Sequence, residues 1–198
     1  MSCSPALKDT PSYFLDVAAE AAALALSMLS SNQFSIAKVG AIPLLVALIQ
    51  NCTDKAKENA AGALLTLSND NYDNTVSIAK AGAIPPLVAL IQYGTDKAKE
   101  NAAGVLLALA IIDDNKVSIV KAGGIPPLVA LLQSGTDEAK MNAAGALYDL
   151  ADNNENNKVS IAKAGAIPLL VALLQNGTKN APDVACLAKA ALRALFES

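Results

Sequence analysis

A four-residue segment, Gly-Ala-Ile-Pro or a close variant, occurs four times in this chain at nearly constant spacing. The copies begin at Gly40, Gly82, Gly123 and Gly165, which are 42, 41 and 42 residues apart. The flanking residues recur as well, including a Gly-Thr-Asp segment and an Asn-Ala-Ala-Gly segment after each of the middle copies. A fixed period of about 40 residues indicates a stack of repeated structural units. One such unit cannot bury its own apolar faces, so each unit is expected to pack on its neighbours.

The second unit predicts three helices. A short first helix near residues 75–81 is expected to end at Gly82, because glycine readily adopts the left-handed conformation after a helix. The second helix is expected to begin at Ile84-Pro85-Pro86, since proline is tolerated in a first turn. The third, capped by Thr95 or Asp96, continues to about Ala110.

The apolar residues of that third helix have helical spacing and are expected to face the core. They are Ala98, Ala102, Val105, Leu106 and Leu109. Hydrophobic residues make up 53% of the chain but aromatic residues only 4%, and tryptophan does not occur. This composition favours closely packed helices over a β-sandwich.

With this period, and with the Gly-Ala-Ile-Pro segment between its first two helices, the repeat over residues 122–151 resembles the armadillo repeat, especially the form in plant U-box ligases and in algal and protist multi-armadillo proteins. Tetratricopeptide and ankyrin repeats are shorter, and HEAT repeats lack the Gly-Ala-Ile-Pro joint. The resemblance implies an all-α, right-handed α–α superhelix (an armadillo solenoid) that forms a single domain over residues 1–198. Its expected parts are an N-terminal segment and capping helix over 1–32 and four full three-helix repeats over 33–73, 74–113, 114–155 and 156–198.

Charge and composition exclude several functions. The 15 Lys and Arg residues are outnumbered by 18 Asp and Glu, and Arg193 is the only arginine, so no basic surface for nucleic acid is expected. Histidine is absent, which excludes the common catalytic triads and removes the commonest metal ligand. We therefore expect no catalytic, cofactor-binding or metal-binding residues. No apolar run is long enough to cross a membrane, so direct membrane insertion is not expected.

The three cysteines, Cys3, Cys52 and Cys186, are far apart and odd in number. They form neither a disulfide framework nor a metal motif. This pattern favours a reduced intracellular protein with one or two buried thiols, in the cytoplasm or nucleus, with an organelle interior left open.

In armadillo solenoids the third helices line a groove that holds an extended peptide. One stripe at positions i, i+4, i+7 and i+11 of each third helix lies away from the core stripe and is expected to be open to solvent or ligand. The predicted groove residues are Lys55, Asn59, Gly62 and Thr66 in the first repeat, Lys97, Asn101 and Gly104 in the second, and Glu138, Asn142, Gly145 and Asp149 in the third.

The asparagines and glycines of this stripe each have two interpretations. An amide side chain offers both a donor and an acceptor, which suits contact with a peptide backbone. An exposed asparagine also serves solubility alone. Mid-helix glycine is unfavourable, so its repetition indicates close approach either by a ligand or by a neighbouring helix.

The charge of the ligand stays open. The importin branch of the family carries a Trp in each repeat where Gly62, Gly104 and Gly145 stand here, so binding of basic nuclear-localisation peptides is not supported. Acidic side chains of the third repeat favour a basic ligand, whereas lysines of the first two favour an acidic one. These are Glu138, Asp149 and Asp152, against Lys55, Lys57, Lys97 and Lys99.

Apolar residues appear at some groove positions where polar ones are expected. They are Val17, Ala21, Leu24 and Met28 in the capping helix, Leu187, Ala190 and Ala194 in the last repeat, and Ile111 and Ile112 beside a one-residue deletion. At the ends, either residues 1–14 fold back or another protein covers them. At the isoleucines, local repacking is the alternative to a binding role.

Together these features predict a non-catalytic module that binds a protein or an extended peptide along the groove of the third helices. The alternative is a structural subunit embedded in a larger complex. An enzyme is a third class, and its only clustered acids, Asp113-Asp114 and Asp149/Asp152, are better explained as solvated surface.

Overall fold

The computed structural model describes residues 40–69, 71–180 and 182–196. Over these residues the chain forms eleven α-helices and no strand. The helices are α1 Ala41–Asn51, α2 Asp54–Ser68, α3 Tyr72–Lys80, α4 Ile84–Tyr93, α5 Asp96–Ala110, α6 Asp113–Lys121, α7 Ile125–Ser134, α8 Asp137–Ala151, α9 Glu155–Lys163, α10 Ala166–Asn180 and α11 Pro182–Phe196.

The helix ends follow the predicted signals. Of the two candidate caps of the third helix in the second repeat, Thr95 is the N-cap, and its Oγ1 accepts the N–H of Ala98 at 3.1 Å. Gly82 ends the first helix with φ of +78°, a left-handed conformation that favours glycine. The first helix begins at Tyr72, three residues before the predicted start, because Asn71 caps it through its side chain.

The helices form two layers with the first helices along one edge. The third helices of the repeats (α2, α5, α8 and α11) pack directly against one another in chain order, and each also packs on the second helix of its own repeat. The second helices (α1, α4, α7 and α10) contact one another less closely. The third helices therefore form the more closely packed side of the stack. First and second helices meet at bends of 84°, 83° and 79°.

The predicted core stripe of α5 is buried in full. Ala98 is 1% exposed, and the four residues that follow it on the stripe are 0% exposed. Equivalent residues of α2 and α8 are also buried, so one apolar core runs along the described stack. Because each repeat contributes a layer to this core, its burial depends on the neighbouring layers.

The last repeat departs from the others in its second helix. The second helices of the middle repeats, α4 and α7, each have ten residues and stop at a glycine with an extended backbone, Gly94 or Gly135. By contrast α10 has fifteen residues and continues through Gly177. Relative to the middle repeats, three extra residues near 180–182 accompany this longer helix and displace the start of the third helix.

The capping helix of segment 1–32 and the first helix of the first repeat lie outside the described residues. The expectation of one or two buried thiols is met neither by Cys186, which is exposed, nor by the partly buried Cys52, and Cys3 lies outside the described residues. Cys186 stands on an outward-facing position of α11, two residues before the buried Ala188.

No single helix in the described ranges is both long and apolar enough to cross a membrane. Three pairs of consecutive first and second helices reach that length and composition only when taken together across their bends. Nor do three metal-ligating side chains converge anywhere in those ranges.

Candidate partner-binding surface

The centre of the predicted groove stripe is buried. Asn101 and Asn142 are each 7% exposed, and Gly104 and Gly145 are buried as well. The expectation that the whole stripe is open to solvent is therefore wrong at these four positions. The cause is the close packing of successive third helices, which covers the middle of each one.

Each of these asparagines bonds to the preceding repeat. Nδ2 of Asn101 donates to the backbone carbonyl of Glu58 on α2 at 3.1 Å, and Nδ2 of Asn142 donates to that of Glu100 on α5 at 3.2 Å. The amides thus tie consecutive third helices together. This supports a structural role, while contact with a partner stays a prediction for all three asparagines, including the partly buried Asn59.

The mid-helix glycines make room for these contacts. A Cβ on Gly62 would lie 3.1 Å from Nδ2 of Asn101, and one on Gly104 would lie 2.9 Å from Cδ1 of Leu65 and 3.2 Å from Nδ2 of Asn142. On Gly145 it would lie 3.0 Å from Leu107 Cδ1. Of the two predicted causes of close approach, the structure therefore shows the neighbouring helix. We refer to the paired glycine and asparagine contacts as the Gly–Asn joints.

A second link accompanies each joint at the start of the third helix. The hydroxyl of Thr95 donates to the carboxylate of Glu58 at 2.9 Å, while it also caps α5. Thr136 does the same toward Glu100 at 3.0 Å. A hydrogen bond from Lys55 and the one from Thr95 hold the pKa of Glu58 below its ordinary value, against partial burial, which raises it.

The predicted groove lysines reach the surface but are paired. Lys55 and Lys97 each have a side chain that is 60% exposed. Lys55 Nζ lies 2.5 Å from the Glu58 carboxylate, and Lys97 is similarly paired with Glu100. The carboxylates largely offset the lysine charges, so the first two repeats do not present a strongly basic surface.

The third repeat is acidic on the same face. Glu138, at the position of the two lysines, and Asp152 are both exposed. Asp149 is partly buried, and this burial raises its pKa to about 6. The carboxylate of Asp152 raises this pKa further, whereas Lys116 lowers it. Thr66, at the position of Asp149 in the first repeat, turns its hydroxyl back to the carbonyl of Gly62 at 3.0 Å.

A second set of asparagines was missed in the sequence. Asn74, Asn115 and Asn157 are buried in the first turns of α3, α6 and α9. Their Nδ2 atoms donate to carbonyls at the end of the preceding third helix, those of Leu67, Leu109 and Leu150, at 2.8, 3.1 and 2.8 Å. Their recurrence every 41 or 42 residues was the available signal.

A groove cavity of about 540 Å³ lies where the third helices α2, α5 and α8 meet the start of α3. Predicted groove residues Gly104, Glu138 and Asn142 line it, together with Ile111 and Ile112. Ile111 is 68% exposed, so local repacking around the deletion does not bury it.

Two further clefts lie elsewhere on the stack. One of about 420 Å³ lies between the second helices α1 and α4 and includes Tyr93, which is 83% exposed. Another, of about 460 Å³, lies between α8 and α11 and is lined by Tyr148, Asp152 and Arg193 among others. The groove cavity is therefore one of several concave places on this molecule.

Comparison with known proteins identifies the repeat. A family profile described as Armadillo/beta-catenin-like repeat matches residues 71–110 and 113–152. These are the two central repeats, which supply Asn101 and Asn142 to the Gly–Asn joints. These two repeats are armadillo repeats. A search of curated proteins finds no match.

Solved structures share this fold over most of the chain. One similar structure is of computationally designed armadillo repeat proteins for modular peptide recognition, with a TM-score of 0.80 and 26% identity over 95% of this chain and 78% of that chain. An engineered protein matches with a TM-score of 0.78 and 29% identity over 96% and 76%. The armadillo repeats only protein from Plasmodium falciparum, at 24% identity over 87% and 78% with a TM-score of 0.74, supports the fold alone.

Proposed function

We propose that this protein is a non-catalytic interaction module that binds an extended peptide or a segment of a partner protein along its third helices. The groove cavity carries the proposal, because it extends across three consecutive third helices and exposes apolar side chains beside polar ones. A surface of that shape suits an elongated chain. The similar designed structure, made for modular peptide recognition, supports this use of the fold.

The proposed contacts are the outer residues of the predicted stripe. Lys55, Lys97 and Glu138 stand exposed at one end of the third helices, and Thr66 and Asp149 are partly exposed toward the other. The Gly–Asn joints would then act mainly by fixing the distance between successive third helices, and so the spacing of these side chains. Regular spacing matters because an extended peptide repeats its side chains at regular intervals.

Site-specific photo-crosslinking tests this proposal. A photo-reactive phenylalanine replaces Ala108 on the groove side of α5 in one variant and the exposed Ala89 on α4 in the other. We expect covalent capture of a partner from native extract by the first variant and not by the second. Equal capture from both positions, or capture only from position 89, would contradict binding along the third helices.

A structural subunit of a larger assembly is the second candidate. It is favoured by large apolar side chains exposed on the second helices, where Leu44 is 67% and Tyr93 is 83% exposed. In that case crosslinks would form from position 89, and the native protein would elute from a sizing column only within a large complex. Elution as a free monomer would instead exclude this candidate.

A further inference from the structure

Tyr72 departs from the pattern of the other repeats at the first residue of α3. The corresponding first helices, α6 and α9, begin with Asp113 and Glu155. An acidic residue in the first turn interacts favourably with the helix dipole, and in α3 Asp73 supplies it, so Tyr72 has no part in that interaction. Its side chain is also 66% exposed, so packing within the described core does not account for it.

Ile111 and Ile112 depart from the pattern in the turn between α5 and α6. Ile112 is the N-cap of α6 and provides no side-chain hydrogen bond. At the same position Asn71 and Asn154 each accept a backbone N–H at 3.0 Å. An apolar N-cap is less favourable for the helix than asparagine. The second repeat therefore carries an isoleucine pair where the local structure favours polar residues.

These three exceptions converge, because Tyr72, Ile111 and Ile112 all line the groove cavity. Leu65 and Leu107, both partly buried, add further apolar surface to it. The cavity volume of about 540 Å³ falls in the range of roughly 300–1,000 Å³ that is usual for ligand sites. Independent departures from local preference that meet in one cavity indicate a binding role.

The negative charge beside the cavity favours a basic partner. Among the described residues that line the cavity, Glu138 carries the charge, and it is exposed. Farther along α8, Asp149 lies near Lys116, and Asp152 shares a cleft with Lys158 and Arg193, so Glu138 carries the charge at the cavity. A basic side chain of a partner would find opposite charge here, and an acidic one would be repelled. The amide groups of Asn69 and Asn71, also at the cavity, can bond to a peptide backbone.

We propose that the groove cavity is a docking site for an extended partner segment in which a large aliphatic or aromatic side chain is flanked by Lys or Arg. This inference rests on the proposed function and names the chemistry of its ligand. The apolar side chain would lie against Tyr72, Ile111 and Leu107, and the cation would lie toward Glu138.

Labelled heptapeptides test this assignment on the full chain by fluorescence anisotropy. The probes are Ser-Gly-Lys-X-Lys-Gly-Ser, with leucine, phenylalanine or alanine at X, and a fourth peptide in which both lysines are glutamate around leucine. We expect the leucine and phenylalanine peptides to bind roughly 10- to 100-fold more tightly than the alanine peptide, since they bury more apolar surface. The glutamate peptide should bind least.

Two matched variants locate the site. Ile111→Asn with Ile112→Asn restores the polar turn and the N-cap of the other repeats, so the fold should be kept. Tyr93→Ser, the residue at the same position in the next repeat, removes an exposed aromatic side chain from the opposite layer. The double variant should lose the preference for leucine over alanine, and Tyr93→Ser should retain it.

The outcomes separate this inference from the proposed function. Equal binding of the leucine and alanine peptides, with NMR shifts along the third helices, would overturn the docking site and leave groove binding intact. Absence of binding by all four peptides would overturn the docking site, while the crosslinking experiment decides groove binding separately. Dimerisation that the double variant abolishes, or peptide binding that appears only after removal of residues 1–15, would assign the cavity to another occupant and overturn the proposal.

Discussion

The contacts that join α2 to α5 and α5 to α8 differ in chemistry from the last joint, between α8 and α11. Between α2 and α5, and between α5 and α8, an asparagine donates to the preceding backbone and a threonine donates to the preceding glutamate. Between α8 and α11 the corresponding residues are apolar. Leu187 replaces the asparagine, although Gly145 of α8 keeps the glycine, and Met141 replaces the glutamate.

Both kinds of joint hold third helices in contact, so the helix arrangement does not require the polar links. The difference lies in specificity. Hydrogen bonds between fixed atoms are made in one register, whereas apolar contacts tolerate small shifts. We infer that the Gly–Asn joints fix the spacing of the groove, and that the last joint contributes mainly apolar burial.

The largest effect is expected from filling a Gly–Asn joint. Gly104→Val places methyl groups where a Cβ alone already lies 2.9 Å from Leu65, and we expect a loss of about 3 kcal/mol in the free energy of unfolding. The matched change at the equivalent position of α11, Ala190→Val, should cost less because Ala190 is only partly buried. Urea denaturation followed by circular dichroism measures both, and equal losses would contradict the proposed difference.

Asp149 lies on α8, the helix shared by a polar joint and the apolar one. Its pKa of about 6 exceeds the ordinary value of 3.8, so the folded state binds its proton more tightly than the unfolded state. Stability is then favoured at low pH and falls as pH rises from about 4 to 6.

Asp149→Asn should therefore raise the free energy of unfolding at pH 7 by roughly 1–2 kcal/mol, after allowance for the remaining solvent contact. The gain should disappear below pH 4. Denaturation curves of both proteins across this pH range provide the measurement, with exposed Asp152→Asn as the control. A gain that does not depend on pH would contradict the assignment.

Loss of one amide link tests the polar joints directly. Asn101→Ala removes the bond to the carbonyl of Glu58, and we expect a cost of about 1.5 kcal/mol. The exposed Asn156→Ala is a matched control that should change little. This expectation also changes the design of groove variants, because alanine at Asn101 and Asn142 would weaken the fold as well as any partner contact.

The smallest effect is expected at the threonine link. Thr136→Val keeps the shape but removes both the cap of α8 and the bond to Glu100, at a cost of about 1 kcal/mol. The exposed Ser160→Val on α9 provides a control at which the expected change is smaller. Thermal denaturation measures both, and a cost at Thr136 no larger than that at Ser160 would show that the link is not stabilising.

The repeat fold could be predicted from the sequence because its signals are local. The period, the Gly-Ala-Ile-Pro joint, the cap at Thr95 and the core stripe of α5 each depend on residues within one unit. The comparison with plant U-box proteins stays a prediction. The groove was harder to predict, since helical spacing shows which residues share a face but not how closely the next repeat approaches that face.

The asparagines illustrate this limit. Asn101 lies on the predicted stripe, but its amide donates to Glu58, a residue 43 positions earlier. Such a contact depends on the distance between two helices, which a single unit does not encode. The raised pKa of Asp149 is similar, because its burial arises from neighbouring elements.

The links between repeats also have a direction along the chain. At each Gly–Asn joint the later repeat supplies the donors, from Asn and Thr, and the earlier repeat supplies the acceptors on Glu. During synthesis each emerging repeat would thus meet acceptor groups that are already folded. Met141 removes the acceptor carboxylate from the third repeat, so the series of complete acceptor sites ends there. A repeat copied from the middle of this protein and appended after Ala151 would bring both donors but would find the backbone carbonyl without the carboxylate.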